Sequence, residues 1–179
     1  MHLVPFIAVL FACLIASEAR AGEPECIGEL QVSFSGAFDA RLGPPARQSC
    51  DGGPRPDGDG LRIAYRSVAI GGDDQILTIL AIPGIVRGQT GTDLPLNVTV
   101  VREGKGEFFG ARGPGRCTVD IAAHEAAGEP DFWRLAGQGR CQDELEAIAR
   151  EGQIRVSDFE FSALVSWEMP DEEILRVDP

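Results

Sequence analysis

The stretch 22–179 holds one histidine, His124, and four cysteines, Cys26, Cys50, Cys117 and Cys141. Nucleophilic catalysis by serine or cysteine needs a positioned base. A triad around His124 would also need a serine on a sharp turn, and the chain has no G-x-S-x-G. His124 lies in AAHEAAGEP, next to Glu125, where it reads as a solvated loop residue. A zinc site fails on spacing, because there is no C-x-x-C and no second histidine in this stretch. Calcium takes oxygen-rich flexible loops. Asp51, Asp57 and Asp59 crowd a Gly-rich segment, and Asp73-Asp74 sit in a turn. Those five are the candidate calcium ligands. Aspartates in Gly/Pro loops more often serve turn geometry, and an EF-hand would want an acid near Val68. Glycoside hydrolysis needs two placed carboxylates, and nothing singles out a pair among so many acids. Trp133 and Trp167 could stack on a sugar, but both fall in phase with core positions. No catalytic residue and no cofactor other than calcium is assigned.

The cysteines point to an oxidising compartment, where an even count reads as a disulfide framework. The start of the chain agrees. Leu3 to Ala16 is an unbroken apolar and small run, LVPFIAVLFACLIA, followed by Ala19-Arg20-Ala21. That is a secretory leader over residues 1–21, with cleavage expected after Ala21. The run falls short of the roughly 20 apolar residues that span a bilayer. Leu10-Phe11-Ala12-Cys13 loosely matches a lipobox, but Phe11 fits poorly, so a lipid anchor at Cys13 is not expected. The mature protein is expected in the periplasm or outside the cell.

Formal net charge is -12, with no basic run. That argues against nucleic acid and anionic membranes as partners. No linker or low-complexity tract divides 22–179, so one domain is expected. Asn97-Val98-Thr99 is a glycosylation sequon on the outward face of its strand.

The elements read as short strands. Glu29 to Leu42 alternates, with Leu30, Val32, Phe34, Phe38, Ala40 and Leu42 on one face. Gly36 on that face marks a bulge or a close crossing. Gln48 to Gly60 is a loop by composition. Leu61, Ile63 and Tyr65 share a face. Ile76 to Ile82 is nearly all apolar and is expected to be buried on both faces. Leu94, Leu96, Val98 and Val100 alternate with Pro95, Asn97 and Thr99, and Glu107 to Ala111 is a further short strand. If Cys117 to Ile121 pairs with Gly137 to Cys141, Val119 faces Gly139 and Ile121 faces Gly137. This match of large to small favours Cys117–Cys141, leaving Cys26–Cys50, although four cysteines allow three pairings. Asp143 to Arg150 is the one expected helix. Gln153 to Trp167 is a strand whose phase slips at Ser157-Asp158, as a bulge would cause. Residues 168–179 form an acidic, loosely held tail.

The expected fold is a mostly β, antiparallel sandwich or barrel with one short helix and two disulfides. Cys117-Thr118-Val119-Asp120-Ile121, Gly137-Gln138-Gly139-Arg140-Cys141 and Phe159-Glu160-Phe161-Ser162-Ala163 together resemble small exported bacterial β-sandwich proteins and lipoproteins. That resemblance implies fold and location and no activity. The expected function is non-catalytic binding of a ligand or protein partner. The alternatives are an exported hydrolase using acidic residues and a calcium-dependent adhesion module. Convergent acids with raised pKa values would mark the hydrolase, and an exposed apolar or aromatic patch would mark the binder.

Overall fold

The computed structural model describes residues 27–46, 48–111 and 115–168. The expected leader, Cys13, Cys26 and residues 169–179 of the tail lie outside the described residues. Those residues form twelve strands and no helix: β1 (Gly28–Gly36), β2 (Ala40–Leu42), β3 (Gln48–Pro54), β4 (Leu61–Val68), β5 (Gln75–Ile82), β6 (Gly91–Arg102), β7 (Glu107–Gly110), β8 (Cys117–Ala126), β9 (Phe132–Cys141), β10 (Leu145–Ala147), β11 (Gln153–Val156) and β12 (Phe159–Ser166). They join in one antiparallel sheet ordered β3-β4-β5-β6-β7-β10-β11-β1-β12-β9-β8, with β2 on β1.

Two strands let the path return on itself. β6 carries β8 on Gly91–Leu96, and β5 and β7 on its second half. β1 carries β12 on Gly28–Gln31 and β11 on Phe34–Gly36. The open edge of β3 is tied to β1 by a side chain: the Gln48 amide donates to the Leu30 carbonyl and accepts the Leu30 N–H, both at 2.8 Å. That amide stands in for a missing ladder rung, satisfying backbone groups that burial would otherwise orphan. Inside lies one apolar cluster running from Leu30 to Val165. Tyr65 is fully buried, and its hydroxyl donates to the Ser162 carbonyl at 2.8 Å. Burial pushes that phenol far above its ordinary pKa.

The C-terminal hairpin follows the expected register. Cys117 faces Cys141 and is bridged to it, Val119 faces Gly139, and Ile121 faces Gly137. β12 completes each rung, with Phe159 beside Gly139 and Phe161 beside Gly137. A Cβ on Gly139 would overlap the Phe159 ring, and one on Gly137 would lie 2.5 Å from the Asp120 carbonyl oxygen. Gly139 thus leaves the space that the Phe159 ring fills, while Gly137 is required first by the β8 backbone, with Phe161 Cε1 3.2 Å away. The slip at Ser157-Asp158 is a bulge. Between the pairs Val156–Phe34 and Glu160–Gln31, the C-terminal chain uses four steps against three on β1.

Several expectations are corrected. Glu29 to Leu42 is a hairpin, with Val32 facing Leu42 and Phe34 facing Ala40. Its apolar phase survives because paired residues share a face. Gly36 is a close crossing, since a Cβ there would lie 2.7 Å from the Gln153 carbonyl oxygen. The supposed loop begins with β3 as far as Pro54, paired along β4. Its glycines answer to packing, because a Cβ on Gly52 would lie 2.6 Å from Val165 Cγ1. In β5 only Ile76, Thr78, Leu80 and Ile82 are buried, while Leu77, Ile79 and Ala81 stay half-exposed. Asp143 to Arg150 is not a helix. Leu145 and Ala147 are buried on either side of half-buried Glu146, a period of two, and Ala149 has φ of 69°. So short a segment has little helical stability of its own, and pairing with β7 and β11 decides its form.

Candidate functional site

The five candidate calcium ligands do not gather at one point. Asp51 lies on β3 at 3.8 Å from Arg62. Asp57 pairs with Arg55 at 2.6 Å, Asp59 lies 4.0 Å from the same arginine, and the Asp57 carboxylate accepts the Asp59 N–H. These two shape a turn. Asp74 pairs with Arg102 at 2.5 Å, and Asp73 is exposed on the β4–β5 turn. Among the described residues no group of three or more His, Cys, Asp or Glu could hold a metal ion.

Of the shallow acidic depressions, one of about 510 Å³ is lined by Asp143, Glu144 and Asp158, with Asp143 paired to Arg116 and Glu144 to Arg155. Another, of about 390 Å³, lies on the outside of β8, β9 and β12. Ala122, Ala136 and Gly137 leave room there between Asp120, Gln138 and Glu160. Asp120 is tied up. It accepts the Asp93 N–H at 2.7 Å and pairs with Arg140, which also bridges to Asp93. Those bonds hold its carboxyl below the usual range. Glu107 is held down too, first by Arg150 at 2.5 Å and then by Arg102 at 2.8 Å. A general acid needs the opposite shift.

His124 is not a solvated loop residue. It sits within β8 and is 4 % exposed. Between Ile121–Gly137 and Ala123–Ala136 the register shifts, so Ala122 is an extra residue. That bulge turns His124 from the solvent face to the core face. Nδ1 lies 3.1 Å from the Gln89 carbonyl oxygen, and Nε2 accepts the Trp167 indole N–H at 3.2 Å. Trp133 meets the ring edge-on with centroids 5.4 Å apart. Both tryptophans are half-buried and packed against the core, as their phase implies. A signal for this site existed in the sequence. Strict alternation from Cys117 would have put Glu125 inside, which a charged residue resists.

The other notable feature is apolar. Outward positions of neighbouring strands form a rung from Leu77 on β5 to Val101 on β6 to Phe108 on β7. Ile79 lies next to Leu77 on the same face, and the Ile148 N–H donates to the Phe108 carbonyl at 2.8 Å. Phe108 is 46 % exposed and Ile148 56 %. Inward of them, Phe109 is fully buried, with Phe38 at 5.5 Å. The same short strand therefore presents one phenylalanine to the core and one to solvent. Among the described residues no helix is long and apolar enough to cross a membrane. No protein-family model, curated protein or solved structure matches this chain.

Proposed function

We propose that the protein is an exported, non-catalytic binding module that engages a protein partner through the outer face of β5, β6 and β7. The observation that carries this reading is the exposure of Phe108 and Ile148 beside Val101, Leu77 and Ile79. Contiguous exposed apolar surface is costly in water and marks interaction sites. The acids give the hydrolase reading no comparable support, because Asp120 and Glu107 are occupied by arginines. The five candidate calcium ligands are spread over three places and give an adhesion module none either.

Export is part of the proposal. The leader over 1–21 and the Cys117–Cys141 bridge support a periplasmic or extracellular protein. A second bridge, Cys26–Cys50, completes it. Cys50 is disulfide-bonded, and a Cβ on Gly28 would lie 3.0 Å from its sulfur, two residues from Cys26.

The test is a comparison of wild type with Phe108→Ser/Ile148→Ser in crosslinking to proteins of the same compartment. The expected result is an adduct formed by wild type and lost in the variant, at unchanged melting temperature. An adduct that survives in a normally folded variant removes this face from the reading.

A further inference from the structure

Three stretches distant in sequence close on one imidazole. Gln89, in the segment between β5 and β6, offers its carbonyl to Nδ1 of His124. Trp167, just past β12, donates its indole N–H to Nε2. The Trp167 amide N–H donates to the Asp131 carbonyl at 2.9 Å, and the Asp131 carboxylate pairs with Arg87 at 3.0 Å. A carbonyl can only accept and an indole N–H can only donate. Both bonds are made together only by the neutral ring with its proton on Nδ1.

We propose that His124 is a pH-sensitive latch, closed when neutral, that releases the end of β12 when it takes up a second proton, while its Nδ1–H keeps its bond to the Gln89 carbonyl. That proton comes from solvent and occupies the Nε2 lone pair that accepted the indole N–H. Two N–H donors then face each other. The His124–Trp167 bond is lost, and a charge stands among tryptophans in a buried site.

The charged groups on the surrounding elements do not relieve it. Arg87 and Asp131 are paired with each other. Glu125 on β8 and Arg134 on β9 face one another in the register, both exposed, and Glu168 beyond Trp167 is exposed. Burial depresses the proton affinity of the ring, opposed in part by the Gln89 carbonyl. The ring therefore stays neutral at pH 7 and charges at a pH below that of a free histidine. This inference is independent of the outer apolar face.

The chain has two tryptophans, so ¹⁵N-indole labelling resolves the two partners of the ring. In wild type, the Trp167 indole resonance should shift between pH 7.5 and 5, with a midpoint below about 6.5. The protection of the Trp167 amide against hydrogen exchange should fall about tenfold or more over the same range. In His124→Gln, whose side-chain oxygen can accept the indole N–H without titrating, both changes should vanish. Should that variant not fold, the His124 ring resonance in wild type gives the midpoint directly. A midpoint at or above 6.5, a transition that persists in His124→Gln, or unchanged Trp167 protection through the His124 titration would each overturn the latch.

Discussion

The indole N–H of Trp167 reaches Nε2 of His124 at 3.2 Å across 43 positions of sequence. Neither residue would face the other on unbroken strands. Trp167 shares the inward phase of Phe159 to Val165 because of the bulge at Ser157-Asp158. His124 points inward because Ala122 is an extra residue in β8. Two one-residue irregularities, one within β8 and one between β11 and β12, aim two side chains at one point. Bulges of this kind re-aim side chains at specific positions.

Stability should therefore depend on pH through His124. Its folded pKa lies below the unfolded value of about 6.5. Between those values the unfolded chain binds more protons, so stability rises with pH across that window. The contribution is complete above about pH 6.5 and lost as pH falls towards the folded value. Glu107 and Asp120 are depressed carboxylates, so their contributions are complete above about pH 4 and lost below it. Urea unfolding midpoints at pH 7.5, 6.5, 5.5 and 4.5 should decline below 6.5 in wild type. His124→Gln should remain flat until the carboxylate window. A wild-type curve flat from 7.5 to 5 contradicts the neutral buried ring.

Gly139→Ala should destabilise, because the new methyl meets the Phe159 ring and that ring is 3 % exposed. Overpacking of this kind costs about 1–3 kcal/mol. Phe159→Leu, made with Gly139→Ala, should restore part of the loss, and a double-mutant cycle by chemical denaturation reads the coupling. Additive losses would mean that the ring and the glycine do not share the space.

The C-terminal hairpin was legible in sequence because three independent signals agreed: cysteine facing, apolar phase and large residues opposite glycines. The phase slip before Phe159 was legible for the same reason, since five apolar residues fixed the new phase. The bulge in β8 left a single signal, Glu125 falling on the inward phase, because Ala122 and Ala123 carry no phase of their own. β3 was hidden by its composition. Its glycines look like loop residues until Val165 is seen packed against Gly52. The segment 143–150 has helix-forming residues, but non-local pairing overrides local propensity in so short a piece. The apolar outer face was hidden in β5, where a run of seven apolar-rich residues reads the same whether one face or both are covered.

Peptide mapping without reduction should recover Cys117 linked to Cys141, as their facing on β8 and β9 requires. It should also recover Cys26 linked to Cys50, since the Cys50 sulfur lies beside Gly28. Loops of this length contribute about 3 kcal/mol each in the chain-entropy model. Cys50→Ser should accordingly lower stability by a similar amount. A peptide joining Cys50 to Cys117 or Cys141 would contradict the hairpin register.

β7 offers the sharpest test of which surface is core and which is available to a partner. Phe109 is fully buried in the interior cluster, with the Phe38 ring beside it and the Arg150 guanidinium 6.0 Å from its centroid. Truncating a buried phenylalanine costs about 3–5 kcal/mol. That is a large part of the roughly 5–15 kcal/mol that holds a domain together. Phe108, its neighbour, is 46 % exposed on the opposite face and leaves no comparable cavity when shortened. Phe109→Ala should fold poorly, whereas Phe108→Ala should change the unfolding free energy by less than about 1 kcal/mol. Chemical denaturation of the two variants, one residue apart, compares the faces directly. Equal and large losses would mean that Phe108 is covered in the folded protein, and the outer face could not then serve as the binding surface.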